Sequence, residues 1–320
     1  MRTNKTTHRI MQELATDARM RRKDIAKKTK LSPQMVSYVI SRAESHRLIQ
    51  GYTTNIDPAR FGLINIEVFL SYTNFEKENL RDIRKFILAE DHITYIEELS
   101  HGADLLIEYT VPNLSFFNKR YTALMEAFGN TVETLSINPV IVKHKFSKDY
   151  LSRKAKKKFE YIYSGDREPI ALSPNTRAVL RELREDPKKN IIDIAGATGM
   201  NVRTVLKILK YLSENRIIRS FGIDVNYKGL GIRSALILIS IKNISNDDVK
   251  RLISLSKTTP EITSVTKLIG RFGIALKIES LKDYEEILDK IRKEINFYEY
   301  LLYDSRGVLK NTYIPSEVLR

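Results

Sequence analysis

The chain of 320 residues holds no cysteine, which excludes disulfides, thiolate metal sites and a cysteine nucleophile. The N-terminal residues lack the apolar segment of a secretory signal, and the longest apolar stretch, residues 235–241, is far too short to cross a bilayer, so we expect a cytoplasmic protein with no membrane partner. The formal net charge of +15 favours a polyanionic partner, and residues 1–60 carry 13 Lys and Arg against 5 Asp and Glu.

Three short amphipathic helices are predicted at the N-terminus. Apolar residues recur at helical spacing over residues 10–40, and Ser32 is a good N-cap for a third helix that begins at Pro33. Residues 48–63 then alternate apolar and polar side chains, which predicts a two-stranded wing. Together these elements predict a winged helix-turn-helix over residues 1–62.

The next segment, residues 63–146, shows the order βαββαβ. Strand-like runs over residues 65–73, 93–111 and 132–142 enclose two stretches with apolar residues at helical spacing. This order is that of the ferredoxin-like fold, in which an antiparallel sheet carries two helices on one face and leaves the other face free for a partner sheet. The predicted fold class is therefore α+β.

The same arrangement occurs twice. Residues 13–63 match residues 182–232 without a gap. We predict a second winged helix-turn-helix over residues 173–231 and a second ferredoxin-like domain over residues 232–320, behind a basic linker over residues 147–172. The linker is long enough for the two ferredoxin-like domains to pack sheet against sheet as a pseudo-dimer within one chain. Further assembly into homo-oligomers stays open.

A family resemblance lies at the end of each predicted helix-turn-helix. Residues 47–63 read RLIQGYTTNIDPARFGL and residues 216–232 read RIIRSFGIDVNYKGLGI. The first run follows Leu31, Ser32, Val36, Ile40 and Glu44. This pattern resembles the Lrp/AsnC, or feast/famine, family of bacterial and archaeal regulators, although those ordinarily carry one such unit per chain. The resemblance implies a transcription regulator that binds double-stranded DNA and responds to a small molecule such as an amino acid through its ferredoxin-like (RAM) domain.

Candidate DNA-binding residues follow from the needs of a helix in the major groove, where base edges are reached by polar or cationic side chains. They are Ser32, Gln34, Ser37, Tyr38, Ser41 and Arg42 in the first half, and Asn201, Arg203, Thr204, Lys207 and Lys210 in the second. Cations expected near phosphates are Lys23, Lys27, Lys28 and Lys30, with Arg19, Arg21 and Arg22 before them. Since the two helices differ in almost all of these residues, they should prefer different half-sites. Whether the second helix binds DNA stays open.

The resemblance also implies an effector site at a glycine-containing turn of each ferredoxin-like domain. In the first half Gly102 and Asp104 stand at the family positions, and in the second half Gly270 matches while Gly273 replaces the acidic residue. A carboxylate there could bind the amine of a ligand. The alternative is that these glycines only turn hairpins.

An enzyme is not expected. The sequence has no Walker-type glycine loop, and its five histidines fall at no i, i+4 spacing, so we assign no catalytic residue, metal ligand or cofactor. Two alternatives remain. One is an architectural, chromatin-type DNA-binding protein. The other is a siroheme decarboxylase, because those enzymes resemble Lrp/AsnC proteins and include two-unit fusions, but they carry a motif with His and Arg where this chain has His101 alone.

Overall fold

The computed structural model describes residues 5–147, 149–151, 160–241, 244–270, 273–281 and 284–320. The lysine-rich part of the predicted linker, residues 153–158, lies outside the described residues. Within the described ranges, no helix is long and apolar enough to cross a membrane.

The first half follows the predicted order of elements. It contains α1 (Lys5–Thr16), α2 (Arg22–Thr29), α3 (Pro33–Ser45), β1 (Ile49–Ile56), β2 (Ile64–Tyr72), α4 (Lys77–Ala89), β3 (Ile93–Ser100), β4 (Leu105–Val111), α5 (Leu114–Phe128) and β5 (Val132–Phe146). Ser32 caps α3 as predicted, since its hydroxyl accepts a hydrogen bond from Met35 N at 3.1 Å. The helix ends at Ser45, and Arg47 then takes a left-handed conformation with φ 52°.

The second half repeats the same elements after one additional strand. It contains β6 (Glu160–Ser164), α6 (Pro174–Glu185), α7 (Ile191–Thr198), α8 (Val202–Glu214), β7 (Ile218–Val225), β8 (Ala235–Ser240), α9 (Asn246–Thr258), β9 (Ile262–Gly270), β10 (Gly273–Ser280), α10 (Tyr284–Glu294) and β11 (Glu299–Asn311). A 3-10 turn, Ser316–Leu319, follows β11. Its Leu319 packs in the core formed by α6, α7 and α8, so the C-terminus of the chain completes the second helical domain.

The eight strands of the two ferredoxin-like domains close into one barrel. Within each half the order is that of the ferredoxin-like sheet, β5-β2-β4-β3 and β11-β8-β10-β9, and the halves join at both edges through the pairs β3–β11 and β5–β9. The inner faces meet around an apolar cluster that includes Phe69, Leu106, Leu238 and Tyr303. The two halves therefore form the predicted intrachain pseudo-dimer, with hydrogen-bonded edges in addition to the expected contact between sheet faces.

The two-stranded wing predicted within residues 48–63 is wrong. The strand β1 is followed by a 3-10 turn, and β1 pairs with its repeat counterpart β7 to form an antiparallel ribbon, β1–β7, between the two helical domains. Ile56 of β1 packs among the helices of the second half, while Ile223 of β7 packs among those of the first. The alternating pattern was a true strand signal, but its hydrogen-bonding partner lies in the other half of the chain.

Candidate nucleic-acid interface

The exposed face of α3 carries most of the residues predicted to read bases. Val36, Val39 and Ile40 are buried against α1 and α2, which fixes the orientation of the helix. The opposite face then presents Ser32, Gln34, Tyr38, Ser41 and Arg42 to solvent. Tyr38 is 59% exposed, and the guanidinium of Arg42 lies 3.4 Å from its hydroxyl. This face offers side-chain donors and acceptors over about three helical turns.

Ser37 has a more structural position than predicted. Its hydroxyl accepts a hydrogen bond from Arg22 Nη1 at 2.9 Å and donates to Pro33 O at 2.9 Å. Arg22 opens α2, so this contact ties α2 to α3 and holds a guanidinium beside the exposed face. Ser37 therefore positions Arg22.

The cations of α2 form a basic surface beside α3. Lys23, Lys27 and Lys30 are exposed, while Lys28 pairs with Glu13 at 2.9 Å and Arg21 pairs with Asp24 at 2.8 Å. Exposed pairs of this kind are weak, so both side chains can be redirected to a phosphate. We call the exposed surface of α2 and α3 the first recognition surface.

Arg19 does not belong to this surface. Its Nη1 atom donates to Pro187 O at 2.8 Å, and its guanidinium lies over the ring of Phe221 at 5.2 Å. Both partners come from the second half of the chain. Arg19 was expected near phosphates, but the structure places it in a contact between the two helical domains.

The corresponding surface of the second half, formed by α7 and α8, is the second recognition surface. Asn201 caps α8, since its Oδ1 atom accepts hydrogen bonds from Thr204 N at 2.8 Å and Thr204 Oγ1 at 3.0 Å. These two predicted base-reading residues are therefore occupied by the cap. Arg203, Lys207 and Lys210 remain exposed on α8.

The two recognition surfaces differ in charge on the helix that precedes the recognition helix. At the repeat spacing, the positions of Arg22, Lys23, Lys27, Lys28 and Lys30 are occupied in the second half by Ile191, Ile192, Gly196, Ala197 and Gly199. Ile192 is 72% exposed, and Leu206 stands at the position of Ser37 with 48% exposure. The second surface has thus lost every cation of its first helix. This difference is visible in the sequence, because the repeat alignment puts apolar or small residues opposite all five cations.

The predicted effector residues lie in turns. Gly102 has φ 88° between β3 and β4, and a Cβ atom there would lie 3.4 Å from the ring of Tyr303. Asp104 Oδ2 accepts hydrogen bonds from Tyr72 N at 2.8 Å and Ser71 Oγ at 3.1 Å, which ties β4 to the end of β2. Gly270 ends β9 and Gly273 begins β10. These contacts favour a turn role for Gly102 and Asp104, and their effector role stays a prediction.

Charged residues inside the barrel were not predicted. Lys277 Nζ lies 2.5 Å from Glu67 Oε1, and each side chain is only 1% exposed. Lys143 Nζ lies 2.7 Å from Glu108 Oε2 and 3.6 Å from Glu67 Oε1. Burial alone would lower the pKa of Lys143, but Glu108 and Glu67 outweigh it and raise that pKa. Burial alone would raise the pKa of Glu108, and Lys143 outweighs it and lowers that pKa. These four residues, the interior ion network, join both halves of the chain.

Comparison with known proteins places the chain among relatives of two kinds. A family model described as winged helix-turn-helix DNA-binding matches residues 3–50 and again residues 172–219. The HTH-type transcriptional regulator LrpC of Bacillus subtilis is 32% identical over 114 residues, which cover 35% of this chain and 78% of that protein. The siroheme decarboxylase beta subunit of Oleidesulfovibrio alaskensis is 30% identical over 152 residues, which cover 42% of this chain and 91% of that protein.

A solved structure matches nearly the whole length. The siroheme decarboxylase NirDL, in co-complex with an iron-uroporphyrin III analogue, superimposes with a TM-score of 0.57 at 12% identity over 97% of this chain and 94% of its own. This match establishes a shared fold. The predicted α+β class, with two repeats of a helix-turn-helix of the winged type and a ferredoxin-like domain, is confirmed, although each wing strand pairs with its counterpart in the other repeat. The identity to LrpC, over 78% of that protein, shows that the chain belongs to the Lrp/AsnC family. Since LrpC and the siroheme decarboxylase subunit each match about one repeat, the chain is a tandem duplication of the family's unit.

Proposed function

We propose that the protein is a sequence-specific, DNA-binding transcription regulator of the cytoplasm, and that its first recognition surface supplies most of the affinity for phosphates. The observation that carries the proposal is the cluster of exposed cations on α2 beside the polar face of α3. Cations of this kind provide affinity without sequence preference, and hydrogen bonds from Gln34 and Arg42 to base edges provide the preference.

The difference between the two surfaces shapes the proposed binding mode. The second surface keeps Arg203, Lys207 and Lys210 on α8 but has no cations on α7. It can still read bases, although it anchors less strongly to the backbone. The ribbon joins both helical domains, so one chain presents two unlike recognition helices. We therefore expect an asymmetric operator in which one half-site contributes more binding energy than the other.

Selection of bound fragments from random duplex DNA at about 150 mM salt tests this proposal, because phosphate binding without sequence preference is weakened there. The selected duplex and a scrambled duplex are then titrated with three variants. We expect Gln34→Ala with Arg42→Ala to weaken binding to the selected duplex much more than to the scrambled one. Arg203→Ala with Lys207→Ala should have a smaller effect.

The matched control is Lys290→Ala on α10, far along the chain from both surfaces. It should leave both affinities unchanged. Equal loss on selected and scrambled DNA from the Gln34 and Arg42 variant would contradict base reading. Absence of any enriched sequence, with tight binding at low salt, would replace the proposal with the chromatin-type alternative.

A siroheme decarboxylase is the second candidate, and it is supported by the identity to the Oleidesulfovibrio subunit and the fold shared with NirDL. The position of His101 argues against it. Its side chain is 74% exposed at the turn after β3, with Nδ1 3.1 Å from Asp304 Oδ2. Incubation with siroheme and mass spectrometry of the products separates the candidates, since loss of carboxyl groups as carbon dioxide would establish the enzyme.

A further inference from the structure

A cavity of about 440 Å³ lies between the β1–β7 ribbon and one end of the barrel. The ribbon contributes Thr53, Gly222 and Asp224 to its wall, and the barrel contributes Glu97, Lys145 and Glu279. Sites of a few hundred cubic ångströms with a few convergent polar groups are typical of small-molecule binding. The predicted effector turns at Gly102 and Gly270 are not part of this wall.

Lys145 is a partly buried cation in the wall of this cavity. Its Nζ atom donates to Tyr313 Oη at 3.2 Å and lies over the rings of Tyr313 and Tyr163, at 4.9 and 5.7 Å. Lys143 and Lys277 each pair with a glutamate, whereas Lys145 forms no ion pair with any residue that the structure describes. Burial and neighbouring Lys143 lower the pKa of Lys145, and Glu279, Glu108 and Asp224, which act from beyond ion-pair distance, do not outweigh them. A partly buried ammonium in this position is stabilised by any anion that reaches it.

We propose that the cavity binds a small carboxylate, that Lys145 is the counter-ion of its carboxyl group, and that the bound molecule joins the ribbon to the barrel. The wall also contains the acids Glu97, Glu279 and Asp224, which complement a hydrogen-bond donor on the same ligand. Burial and neighbouring Glu279 raise the pKa of Glu97, which accepts from Tyr95 Oη at 2.9 Å, and Asp224 accepts from Asn311 Nδ2 at 3.1 Å. These groups favour a hydroxyl or ammonium over a second carboxylate.

The position of the cavity couples it to the recognition helices. Strand β1 begins at Ile49, four residues after α3 ends, and β7 begins at Ile218, four residues after α8 ends. A ligand that draws the ribbon toward the barrel therefore changes the placement of both helices together. This regulatory part rests on the proposed function, whereas binding of the ligand does not.

Thermal unfolding of the full chain tests the site with lactate, serine and 4-hydroxyphenylacetate, which are carboxylates of increasing size that carry donors. We expect at least one of them to raise the Tm, because a ligand of the folded state alone stabilises that state. Lys145→Met should abolish the shift, and Lys290→Met, which replaces a half-exposed lysine on α10, should keep it. Succinate should give a smaller shift, and putrescine none.

Tyr313→Phe provides a second variant, because it removes the hydrogen bond to Lys145 and keeps the ammonium. This variant should lower the affinity for the carboxylate without abolishing binding. The site is overturned if no carboxylate raises the Tm, if putrescine alone does so, or if Lys145→Met keeps the full shift.

A second measurement separates the site from its regulatory role. The affinity for the selected duplex is measured with and without the stabilising carboxylate, and we expect it to change in the unmodified chain but not in Lys145→Met. A thermal shift with unchanged DNA affinity would refute the coupling and keep the site. Absence of DNA binding under all conditions would refute the proposed function and leave the thermal result as it stands.

Discussion

Replacement of Lys277 by Met tests the interior ion network. The substitution keeps the volume of the side chain but leaves Glu67 as a buried carboxylate, since Lys277 Nζ is 2.5 Å from Glu67 Oε1 and both side chains are 1% exposed. Removing one partner of a buried pair typically costs about 3–5 kcal/mol of folding free energy. Lys143 still lies 3.6 Å from the same oxygen and compensates in part, so we expect a loss near the lower end, about 3 kcal/mol.

Urea unfolding followed by circular dichroism measures this loss as a shift of the midpoint. The double variant Lys277→Met with Glu67→Leu should recover most of it, because a well-packed apolar pair replaces a buried ion pair at little cost. Lys290→Met is the control, as its pair with Glu286 is exposed and should be worth less than about 1 kcal/mol. If Lys277→Met is as stable as Lys290→Met, the reasoning is refuted.

Three further outcomes are expected. Lys23→Ala with Lys27→Ala should reduce the slope of log K against log salt by about 2 on random duplex DNA, and an unchanged slope would remove both lysines from the phosphate contacts. Asp57→Asn should cost at least about 2 kcal/mol in urea unfolding, because buried Asp57 accepts from Arg219 Nη2 at 2.6 Å and Ser164 N at 3.0 Å. Asp91→Asn tests pH dependence. Burial would raise the pKa of Asp91, but hydrogen bonds from Ser316 and Glu317 outweigh it and hold that pKa below the ordinary 3.8. Well above pH 3.8, the free energy of unfolding of the unmodified chain should exceed that of Asp91→Asn by a constant amount. This difference should shrink as the pH falls through the pKa of Asp91 in the folded state. A difference that does not depend on pH would contradict this expectation.

Elements defined by short-range signals were predictable. The N-cap Ser32 and the following Pro33 locate the start of α3, and apolar spacing locates the helices of both ferredoxin-like domains. The turn at Gly102 separates β3 from β4 because a positive φ is needed there. These features depend on neighbouring residues, so the sequence pattern is sufficient to predict them.

Features that depend on contacts between the halves were not predictable in the same way. Periodicity identifies β1 as a strand but does not tell whether its partner is the next segment or the counterpart β7. Glu67 and Glu108 occupy polar positions of alternating strands, which ordinarily indicate a solvent-facing side. Closure of the barrel turns that side inward, where the glutamates meet Lys277 and Lys143. Only the assembled pseudo-dimer reveals their partners.

The interior of the barrel also shows why two unlike halves pair in this chain. In strand register, Glu67 lies opposite Glu108 and Phe69 opposite Leu106, while Leu236 lies opposite Glu279 and Leu238 opposite Lys277. In this register Leu236 of the second half is equivalent to Glu67, and Leu106 of the first half is equivalent to Lys277. The counterpart of the ion pair between Lys277 and Glu67 is therefore an apolar contact in the cluster that holds Leu106 and Leu236. Two first halves would place Glu67 against Leu106, and two second halves would place Lys277 against Leu236. Each of those pairs would remove the direct ion pair of a buried charge, and Glu67 would keep only the more distant Lys143, at 3.6 Å. Only the pairing of a first half with a second half keeps both contacts, so the interior charges favour the pairing of unlike halves that the intrachain pseudo-dimer provides. The same divergence between halves leaves one recognition surface rich in cations and the other without them on its first helix.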